Sequence, residues 1–286
     1  MDKKRLYREL AVLDDRGIKL FERCGYGPAI IDNHDDSEIL LYLCEQQIAE
    51  IGILDDFSIK KEYYTLYENE IKGADFEKYR KRASWVWKCK GWCDEMYDYF
   101  PKSVLLKLVN KRMQMSESEM IEMFRKFPVA SFNDQEYGDW IIPCKLIPDY
   151  DEIESNIEAQ KDAAFYIPTV SEIEEFFEKG YLFSRKSCQN LYNFLLKYIG
   201  NEDEARERCF DIWFDSSAKG QFASTIKDVV DRYPALNNMK NELARHIIKF
   251  YENMNTSEFN GYSKAYARRK GLTGKGKHRK IQDSME

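Results

Sequence analysis

Three histidines, seven cysteines and one glycine-lysine run are the material from which catalysis or metal binding would have to be built in this 286-residue sequence. His34 lies in IIDNHDDSE beside Asp32, Asp35 and Asp36, a cluster that could serve as a general base or hold a divalent cation. The same letters suit a helix start, because Asp35-Asp36-Ser37 offers capping oxygens. His246, in LARHIIKF, falls within a long helical pattern and reads as a half-buried structural residue. Cys89 and Cys93 stand four apart in SWVWKCKGWC, a spacing that puts two thiolates on one helical face. A tetrahedral zinc site needs two further ligands, and no second close cysteine pair exists. Trp85, Val86, Cys89, Trp92, Cys93 and Met96 repeat instead as the stripe of a buried helix face. Core packing is expected there, with no metal and no cofactor.

Gly271-Leu-Thr-Gly-Lys-Gly276-Lys277 satisfies the first seven positions of a phosphate-binding loop, but His278 replaces the hydroxyl residue. Such a loop works because a strand delivers its amides to a helix N-terminus, and neither element fits the letters around it. A flexible basic tail is expected instead. No Gly-x-Ser-x-Gly elbow, His-Glu-x-x-His pair or dinucleotide fingerprint occurs, and no catalytic residue is assigned.

Charge is distributed unevenly. The chain stands at −6, and residues 264–286 carry eight bases against Asp283 and Glu286, so residues 1–263 stand at −12. The bases are Lys264, Arg268, Arg269, Lys270, Lys275, Lys277, Arg279 and Lys280. Between Asp149 and Glu178 ten acids face Lys161 alone. An acidic body repels a phosphate backbone, which leaves the tail as the polyanion contact. One other region opposes the trend: Lys78, Arg80, Lys81, Arg82, Lys88 and Lys90 interleave with Tyr79, Trp85, Trp87 and Trp92. Bases with aromatics can grip a single strand, with Lys78 and Arg82 as further contacts; a cationic face opposite an aromatic core stripe gives the same letters.

The elements that must position these residues are mainly helical. Apolar periodicity predicts helices over 4–23, from Asp35-Asp36-Ser37 to Gly52, from Ser58 to Gly73, from Asp75 towards Tyr97, and from Pro101. Ser116-x-x-Glu119 and Thr169-x-x-Glu172 are capping boxes. VASFNDQEYGDWIIPCKLIP breaks the pattern and predicts a hairpin or extended connection between two helical lobes. Further helices are expected over about 151–164, 186–199, 202–214, 218–232 and 237–254. The expected division is 1–148, 149–263 and a disordered basic tail, 264–286.

The longest apolar runs fall far short of the roughly 20 residues that span a bilayer, and MDKKRLYREL carries no apolar h-region. An odd, scattered set of cysteines fits reduced thiols in the cytoplasm.

Phe165-Tyr-Ile-Pro-Thr169, the Glu-rich helix with Lys179-Gly180-Tyr181, and FYENMNTSEFNGYSKAYARRKG resemble an uncharacterised group of mostly Firmicutes proteins that end in a SEC-C motif. IAEIGILDDFSIKKEYYTLY and Asp139-Trp-Ile-Ile-Pro143 also fit. The SEC-C motif is a small zinc-binding tail, found also at the end of the SecA translocation ATPase. This sequence departs from it, because Thr273–Lys280 has no cysteine and His278 alone cannot make a tetrahedral site. The reading that follows is a bacterial, cytoplasmic, non-catalytic adaptor with a protein partner and a nucleic acid or ribosome at its tail. The alternatives are an acidic decoy for a nucleic-acid groove and a metal-dependent hydrolase around His34.

Overall fold

Asp14 shows how side chains set the elements of this protein. In the computed structural model, which describes residues 2–31, 34–97, 99–127, 135–143, 150–217 and 222–272, Asp14 interrupts what the periodicity predicts as one helix. The result is two helices, α1 (Lys3–Ala11) and α2 (Asp15–Tyr26). Its backbone is extended and its carboxylate accepts the Gly17 N–H at 3.0 Å, so it caps α2. Lys88 donates to the same carboxylate at 2.9 Å.

The described residues are mainly helical and divide into two compact units, the first formed by those up to 91 together with those from 101 to 143, the second by those within 92–100 together with those from 150 to 272. The segment 92–100, expected with the N-terminal lobe, thus belongs to the second unit.

In the first unit, α3 (His34–Glu45) does not run on to Gly52 as expected. Gln47 adopts a left-handed backbone and the chain turns into β2 (Ala49–Ile51). With β1 (Ala29–Ile30) and β3 (Asp56–Ile59) this makes an antiparallel sheet of order β1-β3-β2, with Ala29 and Ile51 both opposite Phe57. Strands of two to four residues are too short to show alternation, so the region reads as helix in sequence. Ser58, expected to begin a helix, lies in β3; α4 (Lys61–Leu66) follows and loosens into a π turn over Tyr67–Ile71. Gly25 on α2 makes room for the approach of α4, because a Cβ there would lie 2.1 Å from the Tyr64 ring.

Helix α5 (Ala74–Met96) buries Trp85 and Cys89 in the first unit, and the Trp85 indole N–H donates to the Val109 carbonyl at 3.0 Å. Beyond β4 (Phe100–Pro101), α6 (Lys102–Val109) starts immediately after Pro101. Helix α7 (Glu117–Phe124) carries the expected capping box on Ser116 and Glu119. Strands β5 (Gln135–Tyr137) and β6 (Trp140–Ile142) form the hairpin, turning at the left-handed Gly138. Glu136 on β5 takes Arg125 at 2.6 Å and Lys102 at 2.8 Å, which ties the hairpin to the ends of α6 and α7.

The second unit begins with Trp92–Phe100 and continues with α8 (Tyr150–Gln160) and α9 (Val170–Lys179), whose start is fixed by the Thr169–Glu172 capping box. Helices α10 (Lys186–Ile199), α11 (Glu202–Ser217), α12 (Phe222–Arg232) and α13 (Lys240–Asn253) enclose a core of Leu191, Leu195, Ile212, Val230, Leu243 and Ile247. The expected helix over 237–254 starts instead as a 3₁₀ turn, Pro234–Met239. The first seven residues of the expected disordered tail are α14 (Lys264–Lys270), capped by Ser263 and held by the fully buried Ala267. Among the described residues no helix is long and apolar enough to cross a membrane, and Cys24, Cys44, Cys89, Cys93, Cys188 and Cys209 are free thiols.

Two predictions follow from the first unit's packing. Burial pushes the Asp14 carboxyl up, but its bonds from Lys88 and Gly17 outweigh this and hold it below its usual value. A carboxyl lowered on folding stabilises the protein above the unfolded value, near 4, and that contribution is lost as pH falls through the folded value. Asp14→Ala should cost about 1 kcal/mol at neutral pH through the lost cap and flatten the acid limb of a urea-unfolding series; an acid limb as steep as the parent's refutes the assignment. Gly25→Ala should lower the melting temperature by several degrees, since about 1–3 kcal/mol is typical of overpacking against a ring.

Candidate functional site

Two of the sequence segments singled out above meet in the second unit. Phe165–Thr169 lies along Asn255–Tyr262, with the Tyr166 N–H donating to the Asn260 carbonyl at 3.0 Å and the Tyr262 hydroxyl to the Phe165 carbonyl at 3.4 Å. The capping box on Thr169 places Glu172 one turn into α9, and Arg185, immediately before α10, reaches it at 2.6 Å. Tyr166 donates its hydroxyl to both Glu172 oxygens, at 2.8 and 2.9 Å, and accepts from Arg185 at 3.0 Å. Arg185 also reaches the Asn255 side-chain oxygen at 3.3 Å. The amide nitrogen of Asn255 donates to the Gly261 carbonyl.

Beneath this network sits the aromatic end of α5. The buried Tyr97 hydroxyl donates to the Tyr166 carbonyl and accepts from the Trp92 indole N–H, the latter at 3.2 Å. Gly261 is required in this position: its backbone is left-handed, φ +81°, and a Cβ would lie 2.8 Å from the Tyr97 ring. The Tyr262 and Tyr266 rings stack at 4.8 Å, carrying the order on into α14.

This arrangement fixes geometry. Burial, then the hydrogen bond to Glu172, raises the Tyr166 phenol, so it stays protonated as a donor. A pocket beside Arg185, Ser187 and Asn255 has room for about one water molecule, roughly 10 Å³, which suits a bridging solvent and not a substrate. Arg185, which lines it, has its Nε buried without a protein partner, the kind of atom that such a water satisfies. The network therefore acts as a latch that ties 165–172 to 255–262 and sets the start of α14.

The residues picked out from sequence are scattered by comparison. On α14, Lys264 lies over the Tyr251 ring at 5.5 Å and Arg268 pairs with Glu252 at 2.8 Å; Arg268, Arg269 and Lys270 are exposed. Gly271, the first glycine of the loop-like run, is the left-handed C-cap of α14. Lys275, Lys277, His278, Arg279 and Lys280 lie outside the described residues. On α5, Lys78 is exposed and Arg82 pairs with Glu119 at 3.5 Å. The remaining α5 bases do not form an open strip. Arg80 is buried, donates to the Leu13 carbonyl at 3.0 Å, and pairs with Glu77 at 2.8 Å and with Asp15. Trp85 and Trp92 are buried, while Tyr79 and Trp87 are half-buried, Trp87 packing edge-on against Phe127, so two of the four rings of the stacking platform read from the letters are interior.

The side chains of Asp32, His34 and Asp35 lie outside the described residues, while Asp36 pairs with Arg16 at 2.5 Å. His246 stacks on Phe194 at 4.6 Å, and burial holds its pKa below the usual imidazole value. Among the described residues no three His, Cys, Asp or Glu side chains gather where a metal would sit. The latch residues Tyr166, Arg185 and Asn255 had no signal of their own in the sequence; only the segments containing Tyr166 and Asn255 stood out, as the seat of the resemblance. Compared with protein-family models, curated proteins and solved structures, the chain matches none.

Asn255→Ala should release Gly261 and unfix 257–270. By hydrogen exchange the amides of that segment should exchange about ten- to a hundredfold faster, consistent with about 1–3 kcal/mol for a lost buried bond, while those of α10 and α13 keep their protection. Uniform acceleration across the unit would show that Asn255 is ordinary core and not a latch.

Proposed function

We propose that this chain is a non-catalytic, cytoplasmic interaction protein, whose acidic helical body engages a protein partner while α14 and the basic residues after it engage a polyanion such as nucleic acid or a ribosome. The observation that carries this reading is α14 itself. It is a fastened helix whose last turn presents Arg268, Arg269 and Lys270 to solvent, continuous in sequence with Lys275, Lys277, Arg279 and Lys280. Bases in a last turn also complement the helix dipole, so the cations are compatible with the helix they sit on. The latch supports the same reading, because it invests a buried polar network in fixing the approach to α14. The resemblance to SEC-C-ending proteins favours a C-terminal contact module, here without zinc-ligand cysteines.

The test separates helix from tail. Binding of a single-stranded oligonucleotide is measured against salt for the full chain, a chain ending at Leu272 and one ending at Tyr262. Each lost phosphate contact should reduce the slope of log K against log salt by roughly 0.7. The expected order of slope is full chain, then Leu272, then Tyr262, with Arg269→Ala and Lys270→Ala each flattening it further. Equal affinity and slope for the full chain and the chain ending at Tyr262 would overturn the polyanion half of the proposal.

A further inference from the structure

We propose that the aromatic face shared by α9 and α11 is the docking surface for a cationic amphipathic segment of a partner protein. The inference rests on the interaction-protein reading above and names the chemistry of its protein partner. The rings form a continuous series. Phe177 contacts Phe176 at 5.8 Å, Phe176 contacts Trp213 at 6.2 Å, Trp213 contacts Phe210 at 5.9 Å, and Phe210 stacks on Phe214 at 6.4 Å. The inner rings belong to the core, yet Phe177, Phe210 and Phe214 are 36%, 37% and 62% exposed. Phe210 is held in place, because the left-handed Gly180 brings backbone so close that a Cβ there would lie 2.6 Å from its ring. Rigid aromatics on a fixed backbone give contact area at little entropic cost, which is how binding hot spots are built.

The surroundings select the occupant. Glu174 and Glu178 flank Phe177 on α9, while Glu207, Asp211 and Asp215 flank Phe210 and Phe214 on α11. Of the bases on these helices one, Arg208, is seated within this rim, and the others are directed elsewhere. Arg208 turns to Asp211 at 2.5 Å and Glu207 at 3.4 Å, Arg206 lies over the Phe183 and Tyr192 rings, and Lys179 reaches Glu175 at 3.6 Å. Burial, opposed by Arg208 and reinforced by Glu207 and Asp215, raises the Asp211 carboxyl, so the rim keeps an excess of acid even with Arg208 in place. An acidic rim repels anionic lipid and nucleic-acid phosphate alike. A helix with apolar residues one turn apart and lysines or arginines beside them matches both the rings and the rim.

The test uses a labelled amphipathic peptide of leucine and lysine, about 18 residues or five helical turns, beside the version with glutamate for lysine. Binding to the full chain is read by fluorescence anisotropy at about 0.1 M salt, where long-range attraction is screened. The lysine peptide should bind and the glutamate peptide should not. The double variant Phe177→Ser, Phe214→Ser keeps every acid and should bind at least about tenfold more weakly with an unchanged far-UV circular dichroism spectrum, as should Glu174→Lys, Glu178→Lys. Equal binding to the phenylalanine double variant would overturn the proposal. So would much tighter binding to the chain ending at Leu272, which would make this chain's own tail the occupant. A micromolar dimer dissolved by Phe214→Ser would assign the surface to a second copy and overturn it as well. The oligonucleotide assay reads α14 and the residues after it, so failure of either test leaves the other standing.

Discussion

A guanidinium drawn partly out of water has to be met by a carboxylate, and Arg185 meets Glu172 at 2.6 Å. That pairing orders much of what surrounds it. It engages the capping-box residue that starts α9, lies immediately before α10, and presents donors to Tyr166 and Asn255. Tyr166 in turn rests its carbonyl on Tyr97, and Asn255 holds Gly261. The approach to α14 is thus fixed by polar bonds, while the bulk of the unit is held by the apolar core of α10 to α13. A core can be repacked; a buried polar network is satisfied in one geometry or not at all.

The first unit uses charge in the same way. Arg80 and Lys88, which look like a nucleic-acid grip when read as letters, are spent on Asp15, Glu77, the Leu13 carbonyl and Asp14. Removing these bases from the available surface sharpens the contrast elsewhere. The exposed bases of α14 and the acid-rimmed rings of α9 and α11 are different chemistries on one unit. The two proposed contacts therefore need not compete for the same ligand.

Local signals read directly from sequence correspond to local physics. Ser116 and Thr169 open helices because their hydroxyls accept the N–H three residues on, and both boxes are closed by the expected glutamates. The break at Asp14 and the sheet over 29–59 were hidden for a related reason. Whether a carboxylate caps or merely decorates a helix depends on Gly17 and Lys88, and strands of two to four residues carry no periodicity of their own.

The sequence by itself determined the helical class, most helix starts, the acidic body and the basic end, because each follows from spacing along one chain and from summed charge. Tertiary structure decided which charges remain available and which segments form a site. Arg80 and Arg269 are indistinguishable as letters, and so are Phe176 and Phe177. Only the positions of Asp15 and Glu77, or of Trp92 and Trp213, make one member of each pair interior and leave the other facing solvent. The latch joins residues about ninety apart, and pairing over that distance is set by how helices pack and not by any local pattern.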